Sequence, residues 1–296
     1  MKLTSKIIRM ELEITKPLLE NRGLDIHRKG QDRIGELMTR ANRKRLIFED
    51  VAFSRCSGCM ISKRTRSRHV ILYLHGGGYV AGNIEYAKGY GSVLSSKYDI
   101  SVLCVGYRLA PEAPFPSALE DAFEAYRYLL DNGYDEKHII LCGESAGGGL
   151  CYALCHKLKE IGIPLPLGII AISPWMDLTQ SGTSYELNEK RDPSMSKQRL
   201  DFFASQYVQD NDPRNIYISP LYGDMSGFPR SIIFAGGDEI LLDDSRRLDN
   251  KLREAGVRSE INIAKGMWHA YILYGLRENR DDERKIRSFI WEIVNE

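Results

Sequence analysis

Six short apolar runs set the tightest limit on how this chain can fold. They are HVILYL (69–74), ISVLCVGY (100–107), IILC (139–142), LGIIAIS (167–173), SIIFAGG (231–237) and SEINIAK (259–265). A strand that is apolar at nearly every position needs cover on both faces. Helical patterns separate several of the runs. Leu119, Ala122, Phe123, Tyr126 and Leu129 or Leu130 share one face of 118–130. Leu150, Leu154 and Leu158 do so in 146–160, and Leu248, Leu252 and Ala255 in 244–255. Strands alternating with helical crossovers indicate a mostly parallel sheet with helices on both faces, an α/β fold.

Two regions break the alternation. Residues 1–48 follow a helical pattern, with Leu3, Ile7, Ile8, Ile34, Leu37 and Met38 at three- and four-residue spacing and Pro17 and Gly23 as punctuation. Residues 175–222 are polar and carry a helix-like stretch, SKQRLDFFASQYV. Together they read as a helical lid over the sheet; separate surface decorations are the plainer reading. The expected organisation is a lid segment at 1–48, a catalytic domain at 49–174 and 223–296, and a lid insertion at 175–222.

Composition narrows the function classes. The 296 residues carry a net charge of +1, with 43% apolar and 27% charged residues, which suits a globular chain and gives no reason to expect a nucleic-acid partner. The basic stretch 63–68 reads as a solvated loop. The N-terminus has charges throughout and lacks a signal peptide's apolar core, and no window reaches the length of a membrane span. A cytoplasmic location is expected. Cys104, Cys142, Cys151 and Cys155 lie in apolar strand or helix patterns and read as buried thiols. Cys56 and Cys59 form a C-x-x-C with no second pair to complete a zinc site. No metal or cofactor is expected.

The chemistry is carried by two glycine motifs. GESAG (143–147) ends one apolar run and opens a helical pattern, the strand–turn–helix setting of a nucleophile elbow. Ser145 is the nucleophile candidate. The Ala146 amide would lie at a helix N-terminus, which favours an anion. HGGGY (75–79) follows another run. Consecutive glycines cost backbone entropy and make sense where amides must face a substrate, as in an oxyanion hole. A nucleophilic serine needs a base, and the base an orienting carboxylate. Of the histidines after Ser145, His156 sits in the polar stretch HKLKE and reads as a surface residue. His269, in KGMWHAY after the last run, is the base candidate. Asp238, at the end of SIIFAGG, is the acid candidate, with Glu239 adjacent and Asp243 and Asp244 within reach by sequence. The latter two read as carboxylates at a helix N-terminus.

HGGGY, YRLAPEAPFPSALEDA (107–122), GESAGGG, SPWMDL (173–178) and the tail GGDEILLDDSRRL…GMWH occur in one order. In that order they resemble the hormone-sensitive-lipase-like branch of the α/β-hydrolases, from about residue 40 to the C-terminus. The resemblance implies an α/β-hydrolase fold, a serine carboxylesterase without metal or cofactor, and a triad of Ser145, Asp238 and His269. It also implies an oxyanion hole of the Gly77, Gly78 and Ala146 amides. Glu144 stands where many members carry aspartate and is not expected to perform chemistry. The acid loop reads Asp238-Glu239-Ile240 where many members read D-P-L. Tyr79, Tyr86, Trp175, Phe202, Phe203 and Tyr207 are candidates for an apolar substrate pocket, against the default of core aromatics. No long apolar surface helix is apparent, so short-chain esters are expected rather than lipid emulsions. An amide hydrolase of the arylformamidase type and a non-catalytic small-ligand sensor are the alternatives. The terminal IRSFIWEIV offers a surface for a homodimer.

Overall fold

The computed structural model describes residues 3–20 and 23–296; Met1, Lys2, Asn21 and Arg22 of the N-terminal segment lie outside the described residues. Two helices open the chain, α1 (Leu3–Glu20) and α2 (Leu24–Asn42). There follow β1 (Ile47–Ala52), β2 (Ser57–Ser62), β3 (Val70–Leu74), α3 (Ile84–Tyr98), β4 (Ser101–Gly106) and α4 (Ser117–Asp131). Next come β5 (Ile139–Glu144), α5 (Ala146–Glu160), β6 (Gly168–Ile172), α6 (Ser184–Leu187) and α7 (Lys197–Val208). The chain ends with β7 (Arg230–Gly236), α8 (Leu242–Glu254), β8 (Ser259–Ala264) and α9 (Arg280–Asn295).

Each of the six apolar runs is a strand, β3 to β8. The eight-stranded sheet has the order β1-β2-β4-β3-β5-β6-β7-β8. β2 pairs antiparallel with β1 and β4, and all later pairings are parallel. The β1–β2 hairpin has no counterpart in the sequence reading. β1 is buried only at Val51, so it carries no apolar run to detect.

The alternation of β3 shows why the runs are apolar throughout. Val70, Leu72 and Leu74 join a core with Leu119 and Tyr126 of α4, Leu150 and Leu154 of α5, and Leu248 of α8. Ile71 and Tyr73 join a second core with Tyr90 and Leu94 of α3 and Phe289 and Ile293 of α9. Both faces of the sheet are therefore dry, and a polar residue in β3 would need a partner in either direction.

α1 presents two apolar faces. Ile8 and Leu12 pack inward against the second core, while Leu3, Ile7, Met10 and Ile14 are 46–75% exposed on the opposite side. α1 thus carries an exposed apolar stripe between its charged positions. Helical spacing reveals that two stripes exist but not which of them is covered.

The start of α5 is packed against the end of β3. Leu74 stands opposite Gly143 in the β3–β5 register. A Cβ placed on Gly147 would lie 2.1 Å from the carbonyl oxygen of Leu74 and 2.4 Å from that of His75. This contact sets the gap between the two motif loops. Gly147→Ala should lower the melting temperature, at a cost of about 1–3 kcal/mol from overpacking. Gly30→Ala in α2, where nothing lies within 4 Å of the added carbon, should melt at or slightly above wild type. Calorimetry on the pair checks this, and equal melting would discount the Gly147 contact.

Candidate active site

Ser145 occupies the turn between β5 and α5 at φ +54°, ψ −123°. A non-glycine residue rarely holds positive φ without support. Here its N–H donates to Ile172 O (2.9 Å), and its carbonyl accepts from Trp175 N (2.9 Å) and Gly149 N (3.1 Å). The Ala146 amide lies at the first position of α5, where unpaired N–H groups and the helix dipole face a developing anion.

The glycine loop faces this elbow. Gly77 and Gly78 have φ of +115° and +63°. A Cβ on Gly78 would sit 2.3 Å from Cδ2 of Phe203 in α7, so the loop and the insertion meet at a glycine. Val80 N and Ala81 N close the turn by donating to Gly77 O. His75 braces it from below. Its ring stacks on Tyr107 (4.1 Å between centroids), the Tyr107 hydroxyl donates to His75 O, and burial depresses its pKa to about 4, keeping it neutral.

His269 is buried next to a carboxylate, but that carboxylate is not Asp238. Nδ1 of His269 lies 3.7 Å from Oε2 of Glu239, an ion-pair distance. Glu239 is fully buried, and Oε2 accepts a 2.6 Å hydrogen bond from the Ser173 hydroxyl. Ser173 Oγ in turn accepts from the amide of Ala270, next to His269 (3.0 Å). Burial pushes the Glu239 pKa up, while His269 and Ser173 favour its ionised form. Burial alone would lower the pKa of His269, but the Glu239 carboxylate and the charges of Asp192 and Glu144 outweigh it and raise the pKa above 6.5.

Asp238 turns the other way. Its carboxylate is bound by Arg9 of α1 (2.9 Å) and by Arg191 (2.5 Å). The carboxylate beside His269 is thus Glu239, whereas Asp238, expected there from the sequence, faces Arg9 and Arg191. Successive residues leave the end of β7 in opposite directions, so one faces the histidine and its neighbour faces α1 and the insertion. Asp244, read as a helix-terminal carboxylate, lies in the first turn of α8 but makes no cap bond there. It accepts from Met176 N, Asp177 N and Tyr185 OH, and burial lifts its pKa to about 8. His156 corrects the sequence reading. It is buried rather than on the surface, with Nε2 3.1 Å from Pro220 O and its ring against Phe228.

Ser145, His269, Gly77 and Gly78 line one cavity of 490 Å³. Its walls are mostly apolar. Leu12 comes from α1, Ile26, Ile34 and Met38 from α2, and Leu200 and Phe203 from α7. Of the aromatic candidates, Tyr86 and Phe203 line it. Tyr79, Trp175 and Tyr207 belong to the core, with Tyr79 stacked on Tyr207 at 3.8 Å, and Phe202 is exposed. The C-x-x-C cysteines lie away from the cavity, with Cys59 inside β2 and burial pushing the thiols of Cys56 and Cys59 to about 12 and 11.

The sequence reading left out three supporting residues. Ser173, the first residue of SPWMDL, holds Glu239. Asn188 Nδ2 donates to Glu239 O (2.8 Å), and Asp192 accepts from Ile240 N (2.9 Å), so the insertion is tied to the acid loop. The SPWMDL motif flagged Ser173, but nothing in the sequence pairs either of the others with residue 239.

Comparison with known proteins bears on the family and the class of reaction. A family model described as the alpha/beta hydrolase fold matches residues 71–273. An acetyl-hydrolase of Streptomyces hygroscopicus is 35% identical over 224 residues, 76% of this chain and 75% of that protein. An esterase of Acinetobacter venetianus is 34% identical over 218 residues, 72% and 71% of the two chains. The crystal structure of EstE5 soaked with p-nitrophenyl butyrate superposes with a TM-score of 0.91 at 32% identity, covering all of both chains. An esterase of the bacterial hormone-sensitive lipase family gives 0.91 at 33% identity over 99% of each. The chain belongs to the hormone-sensitive-lipase family of α/β-hydrolases and is a carboxylic ester hydrolase.

Proposed function

We propose that this enzyme cleaves short-chain carboxylic esters through an acyl-enzyme on Ser145, with His269 as base, Glu239 as the orienting acid, and the amides of Gly77, Gly78 and Ala146 as the oxyanion hole. The observation that carries this reading is the meeting of Ser145, His269 and the glycine loop in one apolar cavity, with Nδ1 of His269 towards the Glu239 carboxylate. Nε2 is then left to take the Ser145 proton as Oγ attacks the ester carbonyl. The amides hold the tetrahedral oxygen, and the alcohol leaves with the proton from His269. Water, deprotonated by His269, releases the acid from Ser145.

Substrate size and the lid belong to the same proposal. A cavity of 490 Å³ is in the range of small-molecule sites. We read residues 1–48 and 175–222 as its lid. Support comes from the α1, α2 and α7 residues in its walls and from the Arg9 and Arg191 ion pairs to Asp238. Six unpaired thiols fit a reducing cytoplasm, and no described helix is long and apolar enough to cross a membrane. A homodimer through α9 would cover the exposed Trp291.

Three measurements test the reading. On p-nitrophenyl esters from acetate to laurate, the rate should peak at short chains, and Ser145→Ala should remove roughly 10⁴-fold or more of it. A rate still rising beyond about ten carbons would reassign the enzyme to lipid aggregates and give the exposed stripe of α1 a use. Glu239→Gln should lose about 10²–10⁴ in kcat, against less than about tenfold for Asp238→Asn; the reverse ranking restores Asp238 as the acid. The pH profile has a fixed sign. His269 accepts a proton only when neutral, so kcat/KM should rise with pH through a limb above 6.5. Glu239→Gln removes the main influence raising that pKa and leaves burial, so its limb should move to lower pH. An unmoved limb would mean that a different group titrates.

A further inference from the structure

Glu144 is a fully buried carboxylate that the mechanism above does not use. It is the last residue of β5, immediately before Ser145, and it lines the catalytic cavity. Its side chain reaches sideways to the other motif. Oε1 accepts a 2.6 Å hydrogen bond from the amide of Gly76, the residue before Gly77. Oε2 accepts from the Tyr73 hydroxyl at the end of β3, and Tyr86 of α3 supplies a further hydroxyl. The fit is close, since a Cβ on Gly76 would meet Glu144 O, Cγ and Oε1 at 3.0–3.1 Å.

We propose that Glu144 is a positioning residue for the oxyanion hole, fastening the glycine loop to the nucleophile elbow so that the amides of Gly77, Gly78 and Ala146 converge on one point. The proposal rests on the serine mechanism above. Two halves of the hole come from different strands, β3 and β5, and the oxyanion needs both within hydrogen-bond reach at once. A loop with glycine at 76, 77 and 78 has little stiffness of its own. One carboxylate one residue from Ser145, bonded to an amide one residue from Gly77, removes that freedom at both ends. Its ionised form has acceptor sites for all three donors. Burial lifts its pKa to about 7, and the bonds from Tyr73 and Gly76 oppose that rise. A buried carboxylate that served packing alone could be replaced by an apolar group of the same size with little loss. This one holds, through Oε1, the amide of the loop that carries the donors.

The test uses Glu144→Gln, equal in volume, and Glu144→Ala, with kinetics on a short p-nitrophenyl ester. It adds inhibition by a trifluoromethyl ketone of matched chain length, whose hemiketal with Ser145 places an oxyanion in the hole. Melting curves report folding. Both variants should lose about 10- to 100-fold in kcat with KM within about threefold, and ketone affinity should fall by a similar factor. Tyr73→Phe, which removes one donor and keeps the carboxylate, should shift both quantities the same way by a smaller factor, and it carries the test if the Glu144 variants do not fold. Wild-type kcat and ketone affinity in folded variants overturn the proposal. So does a fall in kcat with undiminished ketone affinity, which would put the loss outside the hole. Ser145→Ala runs alongside: if it keeps the wild-type rate, the serine mechanism itself fails, a result distinct from a failure at Glu144.

Discussion

The site depends on one constraint, the level ends of the parallel strands. Leu74 of β3 stands opposite Gly143 of β5, and the chain leaves the two strands in opposite directions, towards β4 on one side and β6 on the other. A crevice opens where the direction of winding reverses, beyond the carboxyl ends of the strands. The groups that meet there arrive in sheet order. Gly76 to Gly78 follow β3, Ser145 follows β5, Ser173 follows β6, Glu239 follows β7 and His269 follows β8. The chemistry is thus a row of strand ends. A slip of one residue in any parallel pairing would turn a core side chain into the site and a site residue into the core.

Strain and buried charge are both held by neighbours at those ends. Ser145 and Ser173 keep positive φ at consecutive strands of the sheet, and the N–H of each donates to a carbonyl of the neighbouring strand, Ile172 and Phe234. The buried carboxylates Glu144, Glu239 and Asp244 all accept hydrogen bonds from groups fixed by the fold, which offsets part of the cost of taking a charge out of water. Asp177 is neutralised further by Arg247 at 2.9 Å.

Much of this was legible in the residues because glycine motifs encode backbone geometry. GESAG and HGGGY place Ser145, Gly77 and Gly78 to the residue, and His269 stands out as the histidine after the last strand. The carboxylate beside His269 was legible only to within one position. Spacing along the chain locates the turn after β7 but not which of two adjacent side chains faces inward, and Asp238 and Glu239 point to opposite sides. α3 was missed for a different reason. Apart from Tyr90 and Leu94 its buried face is made of small residues, Ala87, Gly89, Gly91, Ser92 and Ser95, so few large apolar residues mark it as a buried helix. His156 was read as exposed from its charged neighbours, yet the Pro220–Tyr222 turn, distant in sequence, covers it.

Arg9 gives the N-terminal helix an effect out of proportion to its area of contact. It bonds Asp238, the carbonyl of Gly266 and that of Arg191, while Lys16 bonds the carbonyls of Glu189 and Asp192. These polar ties hold α1 over the acid loop, while Leu3, Ile7, Met10 and Ile14 face water. Such an element opens at a lower free energy than a sheet covered on both sides. An opening of α1 alone would take Leu12 from the cavity wall and Arg9 from Asp238 while leaving every strand pairing of the sheet intact.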